Sequence, residues 1–236
     1  MTKEVEFLVL AGGQGERMKS ITGQSIPKGA LPVRYGIRGI DVILNQLDLI
    51  KADATFSSDN HFYQYEKIVN ATNHRMLWQK PGGVTQAVLQ TGNRVIIIAS
   101  DCIFPFEQLR RMIERHQPGT ISWAVTKHKS PLMSDYEGCD VVDNNIIGRS
   151  NNSIIRSPTM IIDPEVLKPF VYDAQKEDLY YTVMQRVEKE NLSRVVNGQR
   201  SILNAFYLDG PIMDYGTPDR LKETGRMLDD LLHPKK

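Results

Sequence analysis

The run Val95-Ile96-Ile97-Ile98-Ala99 limits the architecture more than any other feature of this chain. It is apolar at every position, so both of its faces must be covered, which is the pattern of a central strand in a parallel sheet. Segments of two kinds alternate around it. Strands are expected at Val5–Leu10, Ala54–Ser57, Arg75–Trp78 and Arg94–Ser100, and helices at Ile40–Ile50, His61–Ala71, Val84–Gln90 and Phe106–His116. Alternation of this sort is the grammar of an α/β domain. The second half is less regular, with strands expected at Gly119–Lys127, Cys139–Asp143, Ile146–Arg149, Thr159–Ile162 and Ile202–Leu208. Helices are expected there at Asp178–Asn191 and Thr217–Leu232. Asp143-Asn144-Asn145 is a hairpin turn signal. Asp163-Pro164 and Thr217-Pro218 each read as a helix N-cap followed by a first-turn proline.

Chemistry concentrates near the N-terminus. The first strand runs into Gly12, Gly13 and Gly15, with Arg17 directly after and Pro27-Lys28 further on. Glycines let backbone N–H groups approach an anion closely. Arg17 can grip phosphate oxygens bidentately, and Lys28 supplies a point charge from a backbone that Pro27 holds. A dinucleotide-binding turn is the obvious competitor, but Met18 stands where its third glycine belongs. A plain structural turn leaves the spaced Arg17 and Lys28 unexplained. Asp101 follows the Val95–Ala99 run, at the strand end where ligands of open α/β sheets gather. A carboxylate there is placed to hold Mg2+ against a polyphosphate, or alternatively to cap the helix that begins near Pro105.

Bulk properties exclude several classes. A chain of 236 residues, 41% hydrophobic, can bury a sizeable core as one domain. The net charge of +1 argues against a general nucleic-acid or membrane binder. Cys102 and Cys139 belong to no C-x-x-C, and no His/Cys group has zinc spacing. No apolar stretch is long enough to span a bilayer. A cytoplasmic protein is expected.

Three blocks, taken in order, carry a resemblance. They are the opening VLAGGQGERM…PK segment, the turn Pro81-Gly82-Gly83-Val84-Thr85-Gln86-Ala87, and Asp214-Tyr215-Gly216-Thr217-Pro218. Together with Asp101 they resemble the sugar-phosphate nucleotidyltransferases, and in the turn the hexose-1-phosphate thymidylyl- and uridylyltransferases. The resemblance implies a Rossmann-like three-layer α/β sandwich with a mixed central sheet, of the nucleotide-diphospho-sugar transferase type. Residues 1–115 would be the nucleotide-binding half and 116–236 the acceptor-binding half. It further implies NMP transfer from an NTP to a sugar 1-phosphate with release of pyrophosphate. Gly12, Gly13 and Gly15 would approach the nucleotide, Gln79 and Gly83 would read a pyrimidine, and UTP or dTTP would be favoured. Arg17 and Lys28 would be the catalytic cations, with Asp101 and Asp214 on Mg2+. The family's Glu-Lys-Pro element is absent, and Arg149 or Arg156 would supply the charge for the acceptor phosphate. Two other readings stay open: a cytidylyltransferase acting on a non-sugar phosphate such as phosphocholine, and a catalytically silent nucleotide-sensing homologue. The sequence leaves the oligomeric state unassigned.

Overall fold

In the computed structural model, which describes residues 5–11, 16–22, 26–58, 61–78, 83–128, 136–151 and 154–232, strands and short helices alternate. The first half runs β1 (Val5–Leu10), α1 (Lys19–Thr22), β2 (Pro32–Arg34), β3 (Ile37–Arg38), α2 (Gly39–Leu49), β4 (Ala54–Ser58), α3 (Phe62–Val69) and β5 (Arg75–Trp78). Then come α4 (Gly83–Thr91), β6 (Arg94–Ala99), β7 (Cys102–Ile103) and α5 (Phe106–Arg115). The second half runs β8 (Ile121–Thr126), β9 (Gly138–Val142), β10 (Asn145–Ser150), β11 (Ile154–Ile162), α6 (Pro164–Leu167), α7 (Met184–Val196), β12 (Leu203–Tyr207), β13 (Met213–Asp214) and α8 (Pro218–Leu232). The chain is a mixed α/β fold with parallel and antiparallel strand pairs. It forms two compact units, each drawing on residues from both sides of position 115.

The first unit comprises residues 1–8, 79–97 and 106–211. Its strands follow the order β6-β11-β8-β12-β10-β9, and β9 also pairs with β11. Five strands therefore close into a ring. β8 and β12 pair in parallel, Ile121 opposite Leu203, whereas β11 runs antiparallel to both β6 and β8. The apolar run in β6 is thus buried as expected, and on its β11 side the neighbour Met160–Ile162 runs antiparallel. The β9–β10 turn is as read: Asp143 and Asn144 take φ values of 49° and 63°, the left-handed pair that a two-residue hairpin needs. Asn191 of α7 is fully buried. It donates to the carbonyls of Ile146 and Leu203 and accepts from the N–H groups of Ile202 and Leu203. One amide so fastens the helix to β10 and β12.

Two local expectations change. β11 begins five residues before Thr159, because Ile154 and Ile155 pair with β9 and Ile155 and Arg156 with β8, ahead of a register shift between Arg156 and Met160. Ser157-Pro158 sits in that irregularity, where proline's missing donor costs nothing. The Trp123 indole takes the freed Ser157 carbonyl at 2.6 Å. Asp163 does precede α6 with proline in the first turn, but its carboxylate makes no cap. It accepts instead from Arg94 Nε at 2.9 Å and from the Gly119 N–H at 2.5 Å.

The second unit comprises residues 9–78, 98–105 and 212–236. Its strand ends follow the order β5-β4-β1-β6, with β4 and β5 parallel. The hairpin β2–β3 and the pair β7–β13 stand apart from these. α2 buries Ile40, Ile43, Leu44 and Leu47 on one side, spaced as a helix requires. Its first turn is closed by Asp41, which takes the Arg38 N–H at 3.0 Å and its guanidinium at 2.6 Å. Val33, Ile103, Met213 and Tyr215 form a core against which Val42, Leu221, Met227 and Leu228 pack.

Candidate active site

The second unit gathers four of the expected residues. Its strand ends begin the arrangement: the Ser100 N–H donates to the Leu10 carbonyl at 2.9 Å, and the Ala11 N–H to that of Ser57 at 2.7 Å. Leu10-Ala11, at the end of β1, and the Ser100-Asp101 corner therefore lie side by side. Gly12, Gly13 and Gly15 themselves fall outside the described residues. Pro27, at φ −65°, leads into a helical turn opened by Lys28. Lys28 Nζ lies 2.5 Å from Asp101 Oδ2, a pair about one-fifth exposed.

Gly216 locates the rest. A Cβ built on it would meet Asp214 Oδ1 at 3.1 Å, Asp101 Oδ2 at 3.3 Å and Arg17 Nη2 at 3.9 Å. The two carboxylate oxygens are thus no more than 6.4 Å apart, the sum of the first two distances. A Cβ at 216 would crowd both carboxylates, so glycine lets them come close to the backbone here. Asp214 comes from β13, which pairs with β7 directly after Asp101. Its Oδ1 accepts from the Gly216 N–H at 2.5 Å, and its Oδ2 faces Arg220 Nη1 at 3.1 Å. Arg220 is buried on α8, and burial with the nearby Arg17 charge lowers its pKa. Three cations, Arg17, Lys28 and Arg220, therefore surround two carboxylates, a balance that favours an anion.

Hard oxygen donors around an open space suit Mg2+, which takes one or two carboxylates and leaves further positions for water and phosphate. Asp101 Oδ2 and Asp214 Oδ1 both approach the position that a Cβ at residue 216 would take, so the donor set fits. Among the described residues no group of three or more His, Cys, Asp and Glu side chains gathers, so an all-protein cage is not what they build.

Sequence reasoning missed the residues that hold this corner. Tyr65 is 1% exposed, and its hydroxyl accepts from the Gly29 N–H at 3.0 Å and lies 3.3 Å from Ser100 Oγ. Burial pushes that phenol up to about 12. Tyr215, fully buried, donates to the Ser100 carbonyl, and its N–H donates to the Asp101 carbonyl at 3.0 Å. Burial likewise raises its pKa well above the ordinary tyrosine value. Gly29 and Gly39 leave room for these rings: a Cβ at 29 would stand 2.6 Å from the Tyr65 oxygen, and one at 39 would overlap the Tyr215 phenol. Arg220 could have been suspected, since it follows the Asp214 block by one helical turn. Tyr65 left no local signal.

The remaining candidates lie elsewhere. Gln79 falls outside the described residues, and Gly83 is the first residue of α4 in the first unit. Arg149 and Arg156 share a quartet with two carboxylates in that unit. Arg149 pairs with Glu137 at 2.8 Å and Glu188 at 3.2 Å, and Arg156 pairs with the same two. Arg156 also stacks on Trp123, its Cζ 4.6 Å from the ring centroid.

Three solved structures align with nearly the whole chain. A protein assigned as a glucose-1-phosphate thymidylyltransferase from Bacillus anthracis, in complex with sucrose, matches with a TM-score of 0.73 at 17% identity, covering 96% of each chain. The inositol-1-phosphate CTP transferase of T. maritima matches with 0.71 at 18%, covering 95% of this chain and 96% of the other. HddC from Yersinia pseudotuberculosis matches with 0.67 at 16%, covering 94% and 99%. The fold is theirs. A mixed α/β fold shared with nucleotidyltransferases is what the opening glycine segment and the Asp214 block led us to expect. No sequence family and no curated protein matches the chain. Among the described residues no helix is long and apolar enough to cross a membrane.

Proposed function

We propose that this chain is a nucleotidyltransferase that moves NMP from an NTP to a sugar 1-phosphate, releasing pyrophosphate and forming an NDP-sugar. The observation that carries the reading is the convergence of Arg17, Asp101 and Asp214 on the Gly216 cradle, with Lys28 paired to Asp101. The fold shared with a thymidylyltransferase and a CTP transferase supports it. We take the architecture to be the Rossmann-like sandwich of that group, with residues 1–115 serving the nucleotide and 116–236 the acceptor.

In this reading Arg17 holds the two phosphates that leave, and Lys28 meets the charge that grows at the α-phosphate as an acceptor oxygen attacks in line. Asp101 and Asp214 would hold Mg2+, which when bound neutralises phosphate charge between nucleotide and acceptor. Gly12, Gly13 and Gly15 bring backbone N–H groups to the nucleotide, and Gln79 and Gly83 read its base. Catalysis is positioning and charge neutralisation, with no protein nucleophile. Arg149 serves the acceptor phosphate.

A second reading, cytidylyl transfer, is favoured by the CTP transferase neighbour, whose match is nearly as good as the first. Phosphocholine is the weaker acceptor for it, because Arg156 already covers a face of Trp123 that an ammonium cage would need. The test is a pyrophosphate-release screen of UTP, dTTP, CTP, GTP and ATP against hexose 1-phosphates, inositol 1-phosphate and phosphocholine with Mg2+. Release with a sugar phosphate supports the proposal. Release only with a non-sugar acceptor selects the second reading, and nucleotide binding with no turnover overturns both.

A further inference from the structure

Lys28, Asp101 and Asp214 come from three distant parts of the chain, yet each has a sequence neighbour in one buried hydroxyl network. Gly29, next to Lys28, donates its N–H to the Tyr65 oxygen. That oxygen, having accepted, can donate to Ser100 Oγ at 3.3 Å. Ser100 precedes Asp101, and its carbonyl accepts from the hydroxyl of Tyr215, which follows Asp214. We infer that Tyr65 and Tyr215 are positioning residues that clamp the three charged groups to one corner at Ser100, and so set the Lys28–Asp101 separation of 2.5 Å.

Two further observations agree. Both phenols are buried, so neither oxygen can exchange its partners for water without opening the site. Glycine stands at 29 and at 39, the two places where a Cβ would drive a phenol away. Misplacing a reacting or charge-bearing group by about 1 Å can cost ~10²-fold in rate. A clamp of this kind therefore acts on turnover while leaving every charge in place.

The kinetic part of this inference rests on the nucleotidyltransferase reading. The experiment compares the wild type with Tyr65→Phe and Tyr215→Phe, each of which removes one oxygen and keeps the ring. Pyrophosphate release, thermal stability and the 1H–15N NMR signal of the Lys28 ammonium are followed together. The ammonium signal, held by Asp101 in the wild type, should broaden through faster proton exchange in Tyr65→Phe. The expected kinetic result is a 10- to 100-fold fall in kcat with KM for NTP changed less than threefold. A merely structural role would lower Tm and leave both kcat and the ammonium signal unchanged, and that result overturns the inference. If the wild type releases no pyrophosphate with any substrate pair, the functional reading fails by itself. The ammonium signal then decides the clamp: unchanged in Tyr65→Phe, it sinks it, and broadened, it upholds it.

Discussion

Lys28 and Asp101 hold each other, which separates Lys28 in kind from Arg17. Lys28 lies within a part-buried ion pair, whereas Arg17 is an exposed residue with its guanidinium toward the Gly216 space. Lys28→Ala should fall mainly on kcat, and Arg17→Ala should raise KM for NTP at least as much as it lowers kcat. A Lys28→Ala enzyme altered only in KM would refute the assignment. Asp101→Ala and Asp214→Ala should each lower kcat by ~10²–10³, as loss of one preorganised electrostatic element does elsewhere. Full activity in EDTA, or in the double variant, would remove Mg2+ from the account. Arg220 carries a different expectation. Its buried pairing with Asp214 means that Arg220→Met takes a buried cation away from that carboxylate, at about 3 kcal/mol and so roughly 10 °C in Tm. An unchanged melting point would show that the pair is not held as described.

Among the elements, the stretch from Arg94 in β6 to Asp163 before α6 should make stability depend on pH. The His116 ring is fully buried, its Nδ1 2.7 Å from Ser122 Oγ and its Nε2 3.6 Å from Asp163. Burial, with the Arg94 charge, pushes its pKa down to about 4. The unfolded chain binds that proton near pH 6.5 and the folded chain does not, so stability falls as pH drops from about 6.5 to 4 and levels off below. The loss should be on the order of 1–3 kcal/mol in urea titrations at pH 7 and 4.5, and His116→Gln should flatten it. Asp163 acts outside that window. Burial raises its pKa, but Arg94 and the Gly119 N–H outweigh that and hold it below the ordinary carboxylate value. Its stabilisation is therefore present above about pH 4 and is lost only below. The sequence showed the proline beside Asp163 but not the arginine 69 positions away. The same limit hid the true start of β11, which is set by pairing with β8 and β9 and not by local composition. Where a signal was local it could be read: the Val95–Ala99 strand, the Asp143-Asn144 turn and the helix after Pro218 all lie where the pattern put them. Tyr65 could not be found because it reads as an ordinary core residue of a helix. Its meaning lies in Gly29 and Ser100, 36 and 35 positions away.

Across the whole molecule, the proposed catalytic site and the quartet of Arg149, Arg156, Glu137 and Glu188 draw on different stretches of chain, so under the proposed function base choice and acceptor choice should be separable by mutation. Gly83→Ala is expected to change the ratio of kcat/KM between UTP or dTTP and the purine nucleotides more than it changes KM for the acceptor. An equal effect on all NTPs would detach Gly83 from base reading. The order of the chain has its own consequence. It changes from one compact unit to the other after residues 8, 78, 97, 105 and 211. No single cut releases either unit whole, and no contiguous stretch of gene encodes one. Such a protein cannot lend half of itself to another by simple recombination. Whatever chemistry it acquires at one unit must be inherited together with the other.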